Sequence, residues 1–443
     1  MLTRDQAKAI TDRVLALSKA DEVSINLSGG TTSHLRFARN TPSTSGSNEA
    51  PSLEIESTYG KRTGSVTINQ FDEESLARGV RRSEEIARLA PEDPEHMPVL
   101  APQRYVEGPG FSQSTADHGA ENLANWAATC INDAQSSGLV AAGFTQATAG
   151  YSCIANSRGL FGYHRATGAY LSETVRTSDG TGSGWASASS HRMEDIDAGA
   201  MSKTAMAKAR TSAQPKPLDP GKYVTILEPA CVANLVRMMG WFMNARAADE
   251  GRSYFSAPSG GNRLGEKLFD ERVNIYSDPA DPMTPGAPWG QDGLPQERRA
   301  WVENGVLKHL MTDRYWAQKS GVAPVPFPSN VIMRGGSGTV DDLVASTERG
   351  VLVTSLWYIR PVDPRTMLFT GITRDGVFWI ENGKISHPVQ NLRWNDGPLT
   401  LLTKLDKMSA TVRVPPRPWR SANTAVPALR VKEFQFTSVS EAV

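Results

Sequence analysis

The residues able to do chemistry are scattered along this chain. Its seven histidines (His34, His96, His118, His164, His191, His309 and His387) stand far apart. None belongs to a helical HExxH or HExxxH motif, which would set two imidazoles and a carboxylate around a zinc-bound water. An isolated histidine lacks the company a metal needs, so each reads as a surface or packed residue. No GxSxG nucleophile elbow occurs. Cys231 falls in the first turn of an expected helix, where a thiolate is favoured; a small buried cysteine is the stronger reading. Gly180-Thr-Gly-Ser-Gly184 and Gly335-Gly-Ser-Gly338 could each cradle an anion through backbone N–H groups. Neither matches GxxxxGK[ST], and both read as turns. A charged set comprises Arg237, Arg246, Asp249, Glu250 and Arg252. Adjacent carboxylates can do acid–base work, but the flanking arginines point to ion pairs.

Most of this set sits on or just beyond one element. Leu227–Phe255 opens with Glu228 and Pro229, both suited to a helix start. Val232, Leu235, Val236, Met239, Phe242 and Met243 then recur at three- and four-residue spacing. That predicts a central helix over 229–248. Ahead of it, helices are expected over 4–18, 72–89, 116–136 and 198–213. In the 72–89 helix, Leu76, Val80, Ile86 and Leu89 form the inward face. Strands are expected at 21–27, 34–40, 53–59 and 63–69, with Gly29–Gly30 a turn and 43–51 a polar loop. Successive strands follow at 140–148, 151–156, 160–167, 170–177 and 183–190. Pro215, Pro217 and Pro220 mark the best boundary, giving an N-terminal domain over 1–214 and a C-terminal domain over 221–443. Two echoing segments, 301–309 and 379–387, each centre on Asn-Gly, a type I′ hairpin signal. Short helices are expected at 313–319 and 340–348, strands at 350–358 and 366–373. The proline-rich 410–430 region should wrap as a tail into a strand near 429–437. The fold class is α+β: an N-terminal α/β-type domain and a mostly antiparallel β domain carrying the central helix.

Length and charge narrow the classes. A chain of 443 residues can bury a large core without a staple. Lys+Arg and Asp+Glu balance at 47 each, which disfavours nucleic-acid binding. The three cysteines, Cys130, Cys153 and Cys231, form no CxxC pair and fit a reducing compartment. The charged N-terminus has no apolar leader core, and no run of about 18 apolar residues could span a membrane. A cytoplasmic location is expected.

Taken in order, several segments resemble the TldD/PmbA family, whose PmbA-type members are also called TldE or modulators of DNA gyrase. They are HLRFARN (34–40), YGKRTGSVTIN (59–69), EEIARLAPEDP (84–94), ILEPACVANL (226–235), GRSYF (251–255) and RLGEKLFDERVNIYSDP (263–279). WVENGVLKHLMTDRYWAQKSG (301–321), RGVLVTSLWY (349–358), FWIENGKISHPVQN (378–391) and VPALRVKEFQFTS (426–438) complete the set. The resemblance implies a two-domain fold and a dimer, in which a TldD-like zinc metalloprotease subunit pairs with a TldE-like one to degrade or trim peptides. It further implies a zinc helix with an HExxGH-type motif and a later cysteine ligand. With the glycine in register at Gly240, Val236, Arg237 and Trp241 stand where His, Glu and His belong, and no cysteine follows Cys231. The resemblance therefore implies a non-catalytic, TldE-like subunit without zinc or cofactor of its own, shaping a groove for a peptide or unfolded polypeptide. Zinc is expected in the TldD-like partner. Arg246, Arg252 and Ser253 are possible peptide or partner contacts. The alternatives are a metal-independent hydrolase in the same groove and a homodimeric peptide-binding or regulatory protein.

Overall fold

The computed structural model describes residues 1–415, 417 and 423–440. Part of the expected proline-rich tail, 416 and 418–422, lies outside the described residues. Helix α1 (Arg4–Leu17) opens the chain under a capping box in which Thr3 and Gln6 satisfy each other's backbone. Then come β1 (Glu22–Ala38), β2 (Thr41–Glu49), β3 (Ser52–Tyr59), β4 (Arg62–Ile68) and α2 (Glu73–Leu89). After a connector come α3 (Gln113–Ala116), α4 (Ala120–Ser136), β5 (Val140–Asn156), β6 (Phe161–Arg176), β7 (Ser183–Ser190) and α5 (Ala198–Thr211). These strands make one antiparallel sheet in the order β4-β3-β1-β5-β6-β7, with β2 on the edge of β1. Helices pack on one face, where Phe37, Leu171 and Val175 meet Leu123, Ile131 and Met206.

Several strands run longer than their local signals suggest. β1 passes straight through Gly29–Gly30 instead of turning. A Cβ at Gly30 would lie 2.3 Å from the carbonyl oxygen of Ala149, so glycine there permits close strand approach. β5 and β6 likewise continue through Gly150 and Gly168. Residues 43–49 of the expected 43–51 loop belong to β2, whose nine residues are all exposed; its polar composition hides a strand with no buried face. Leu89, expected inward, is 87% exposed, because Ser83 and Ala87 make the close contact under Gly64 instead. The expected 116–136 helix starts only at Ala120, as α4; residue 116 instead closes the short α3, and 117–119 separate the two.

Beyond the prolines the chain forms β8 (Gly221–Leu227), α6 (Pro229–Gly240), α7 (Ala245–Asp249), β9 (Ile275–Ser277), β10 (Arg299–Glu303) and β11 (Val306–Leu307). Next are α8 (Arg314–Ser320), β12 (Val331–Met333), α9 (Val340–Ala345), β13 (Arg349–Asp363), β14 (Leu368–Glu381) and β15 (Lys384–Pro388). The chain closes with β16 (Leu392–Asp396), α10 (Pro398–Thr403), β17 (Leu405–Met408), β18 (Val412–Arg413), β19 (Thr424–Val426) and β20 (Leu429–Val439). Among the described residues two further sheets result. One runs β11-β10-β9-β12-β19-β18. The other runs β13-β8-β20-β16-β14-β15, and β14 also pairs with β13, so five strands close into a ring without a free edge. Both Asn-Gly turns have positive φ at each residue (Asn304 50°, Gly305 76°; Asn382 52°, Gly383 73°), as a type I′ hairpin requires.

The central helix is not continuous over 229–248. Trp241, Phe242 and Met243 each donate to a carbonyl only three residues back, which tightens and ends the last turn. Met243 and Ala245 then exchange backbone bonds with Met311 at 2.7 and 2.8 Å, pulling the chain out of the helix. Asn244 restarts it by capping α7 through Ala247.

Candidate functional site

Helix α6 is buried in the largest core cluster, between the ring and α10. Glu228, the N-cap of α6 just after β8, binds Lys208 of α5 at 2.6 Å, while Pro229 occupies the first helical turn. Val236 is 2% exposed and packs among Leu235, Met239 and their neighbours. Arg237, one residue on, is half-buried, and among the described residues nothing pairs with its guanidinium. Burial alone pulls its pKa below the usual arginine value. Gly240 closes the helix with open space around it, and Trp241, half-exposed, forms the C-cap. Asn234, a turn earlier, is buried with neither amide atom hydrogen-bonded. The sequence reading passed over it, though a lone polar residue inside an apolar run was the available signal.

These residues do not fit zinc. Valine and tryptophan offer no suitable lone pair, and a guanidinium repels a dication. Among the described residues no group of three or more His, Cys, Asp or Glu could hold a metal ion. Cys231 is fully buried, its thiol 3.5 Å from the Val353 carbonyl, and burial raises its pKa well above the usual thiol value. That favours the packed reading over a nucleophile.

The remaining predicted residues all make contacts within the chain. Arg246 forms a two-pronged pair with Glu95 at 2.8 and 2.9 Å, binds Glu250, and lies over the Trp316 ring. Arg252 pairs with Glu250 at the surface. Ser253 is buried and donates to the Phe242 carbonyl at 2.9 Å. Asp249 accepts from Trp316 Nε1 and from Asn262, both at 2.7 Å, which fixes the end of α7.

A groove leads away from α6. At its C-terminal end, Met238, Trp241, Leu356 and Tyr358 line a cavity of about 340 Å³. Trp357 and Arg417 are shared with a second, of about 370 Å³, which reaches Phe144 and Tyr170 on the open face of the first sheet. Tyr170 leads to a third, of about 220 Å³, walled by Arg413 and Asn423. A fourth, of about 350 Å³, holds His164 and His191, and His164 also borders a fifth, of about 850 Å³. The sequence kept these histidines apart; the fold puts both on one cavity wall. Arg413, Arg417 and Trp357 carried no local signal.

The chain matches the family model described as the PmbA/TldA metallopeptidase C-terminal domain over residues 220–438, and the corresponding central domain over 119–213. It is similar to the metalloprotease TldD homolog of Buchnera aphidicola, 25% identical over 167 residues, and to a metalloprotease of Archaeoglobus fulgidus, 30% identical over 152 residues. Those alignments cover 34% and 32% of this chain, and 34% and 35% of the relatives, so the match spans about a third of their length. Among solved structures, TldE from Thermococcus kodakarensis superposes with a TM-score of 0.86 at 16% identity, covering 98% of this chain and 100% of that one. A proposed modulator of a DNA gyrase from Thermotoga maritima gives 0.85 at 19%, covering 97% and 100%. At such identities the likeness is one of fold.

Proposed function

Because the chain belongs to the PmbA/TldD metallopeptidase family, we propose that it is a TldE-like subunit that binds peptide without cutting it, beside a TldD-like subunit that carries the zinc. One observation supports this above others. The helix that would bear the metal keeps its start, its apolar packing and its closing glycine, yet presents Val236, Arg237 and Trp241 where ligands and base belong. The scaffold is retained and the chemistry is absent from it.

The groove supports the peptide half of the reading. It starts at the C-terminal end of α6 and follows the open face of β5 and β6, long enough to hold an extended chain. The backbone groups of β5 and β6 are already paired within the sheet, so peptide lying there would be held by shallow side-chain pockets and by polar side chains of the wall. Trp241 and Tyr358, both exposed at the mouth, offer the aromatic anchors common in protein contacts. Among the described residues no helix is long and apolar enough to cross a membrane.

The test is reconstitution. The chain is purified alone and with a TldD-like protein of the same genome, and bound zinc and peptide cleavage are measured. Chelator-sensitive cleavage should need both subunits, with zinc tracking the partner. Stoichiometric zinc or chelator-sensitive cleavage by the chain alone would overturn the reading. Self-association with no affinity for the TldD-like protein would favour a homodimer instead.

A further inference from the structure

Midway along the groove, β5 and β6 offer a floor of small residues, Thr148, Gly150, Ala166 and Gly168. Two cavities lie over it and share Ala166, Thr167 and Asn423. Arg413, at the end of β18, forms part of the wall. Its Nη1 donates to the Met283 carbonyl at 2.6 Å, its Nη2 to Asn423 at 3.2 Å, and its Nε reaches Ser189 at 3.5 Å. A guanidinium has five donors, so two remain unspent. No carboxylate of the described residues pairs with it, whereas buried Arg430 is paired with Asp406. Asp195 and Asp281 act on it electrostatically without reaching ion-pair distance; Asp195 accepts from Ser190 at 2.7 Å, and Asp281 from the Thr284 backbone at 2.9 Å. Burial lowers the Arg413 pKa to about 10, against the opposing pull of Asp195 and Asp281, so the guanidinium is poorly solvated where it stands.

The adjoining wall points the same way. His191 is 9% exposed and its Nδ1 has no hydrogen-bond partner; Ser329 Oγ is likewise enclosed without one. Buried polar atoms without partners are uncommon and costly. His164 faces the same cavity, and burial holds both imidazoles toward the neutral form. Among the described residues Arg413 makes no direct ion pair, and the carboxylates of Asp195 and Asp281 offset its charge only at longer range; with those anions nearby, the site matches a monoanion better than a dianionic phosphate.

We propose that this double cavity is a carboxylate-binding subsite, in which Arg413 supplies the charge and His191, Ser329 and Asn423 supply the polar surround for a carboxylate of a bound peptide. It rests on the peptide-binding reading for the choice of ligand. The zinc partner is not required, so the two readings fail separately.

Calorimetric titration of the full chain alone tests it, with acetyl-trialanine as free acid and as C-terminal amide. The free acid should bind about tenfold tighter or better, the scale of a charge-assisted hydrogen bond. Arg413→Met should erase that preference while leaving the amide's affinity in place. A third probe, amidated and carrying an internal glutamate, assigns the source: tight binding there points to a side-chain carboxylate, weak binding to the chain terminus. Since Arg413 also ties together the 283 and 423 segments, Arg413→Met could fail to fold. Arg413→Lys, which keeps the charge but not the fork, should then retain part of the preference, and His191→Leu should reduce it. Equal binding of acid and amide, binding of neither, or a preference unchanged in these variants would overturn the proposal.

Discussion

At the residue scale the informative position is Arg237. A half-buried guanidinium without a partner costs stability, and the fold gives nothing back for it. Replacing it should therefore relieve the isolated chain. Arg237→Met keeps the stem and removes the charge, and should raise the unfolding free energy by roughly 0.5–1 kcal/mol in a urea titration. If Arg237 serves the partner or the peptide, the same variant should weaken that association by about tenfold, a trade of function for stability. A loss of stability in the isolated chain would instead mean that Arg237 is structural. Positions corresponding to the family's zinc motif could be placed only through the family resemblance; periodicity alone gives an apolar helix with an arginine on it. Arg413, His164 and His191 were not legible at all. They are far apart along the chain and meet only because two long strands lie beside β18 and the 283–287 loop.

At the element scale, helices and tight turns were legible and long strands were not. Capping residues and Asn-Gly pairs act locally, so Asp72, Asp313 and both hairpins declare themselves. Gly29–Gly30 reads locally as a turn, and Gly150 and Gly168 fall in gaps between expected strands, but strand pairing on both sides keeps β1, β5 and β6 extended. The break after Gly240 depends on Met311, a contact no local rule contains. One element carries a hidden titration. Glu173 of β6 is fully buried beneath α4 and α5, beside Cys130 and Ser202, and neither of its oxygens finds a hydrogen-bond partner. Burial raises its pKa from 4.5 to about 7. Between those values the folded chain holds a proton that the unfolded chain has released. Stability should therefore fall as pH rises from about 4.5 to about 7 and level off above, with a total contribution of about 3 kcal/mol. Glu173→Gln should flatten that slope and raise stability at pH 8. Denaturation midpoints taken across pH for both chains check it, and an unchanged slope in the variant would refute it.

At the scale of the whole molecule, what needs holding is the first sheet against the C-terminal ring, since the groove runs between them. Asp375 of β14 is buried in a left-handed conformation with φ of 57°. One of its oxygens accepts from Ser183 Oγ of β7 at 2.7 Å, and the other pairs with Arg417. Arg417 in turn lies 4.9 Å from the Trp185 ring of the first sheet and 4.7 Å from the Trp357 ring of β13. A charge pair inside such a junction stabilises little by itself, but removing one partner strands the other in a poorly solvated place. Asp375→Asn should thus destabilise the chain by roughly 2–4 kcal/mol and speed proteolysis in the 214–220 connector, where a loosened junction would first be exposed. Asp375→Asn combined with Arg417→Met removes both charges and should cost less than Asp375→Asn alone, because contacting residues do not add. Equal loss in the single and double variants would show that the junction rests on the tryptophans and the Ser183 hydrogen bond rather than on the ion pair. The groove would then be held open by packing alone.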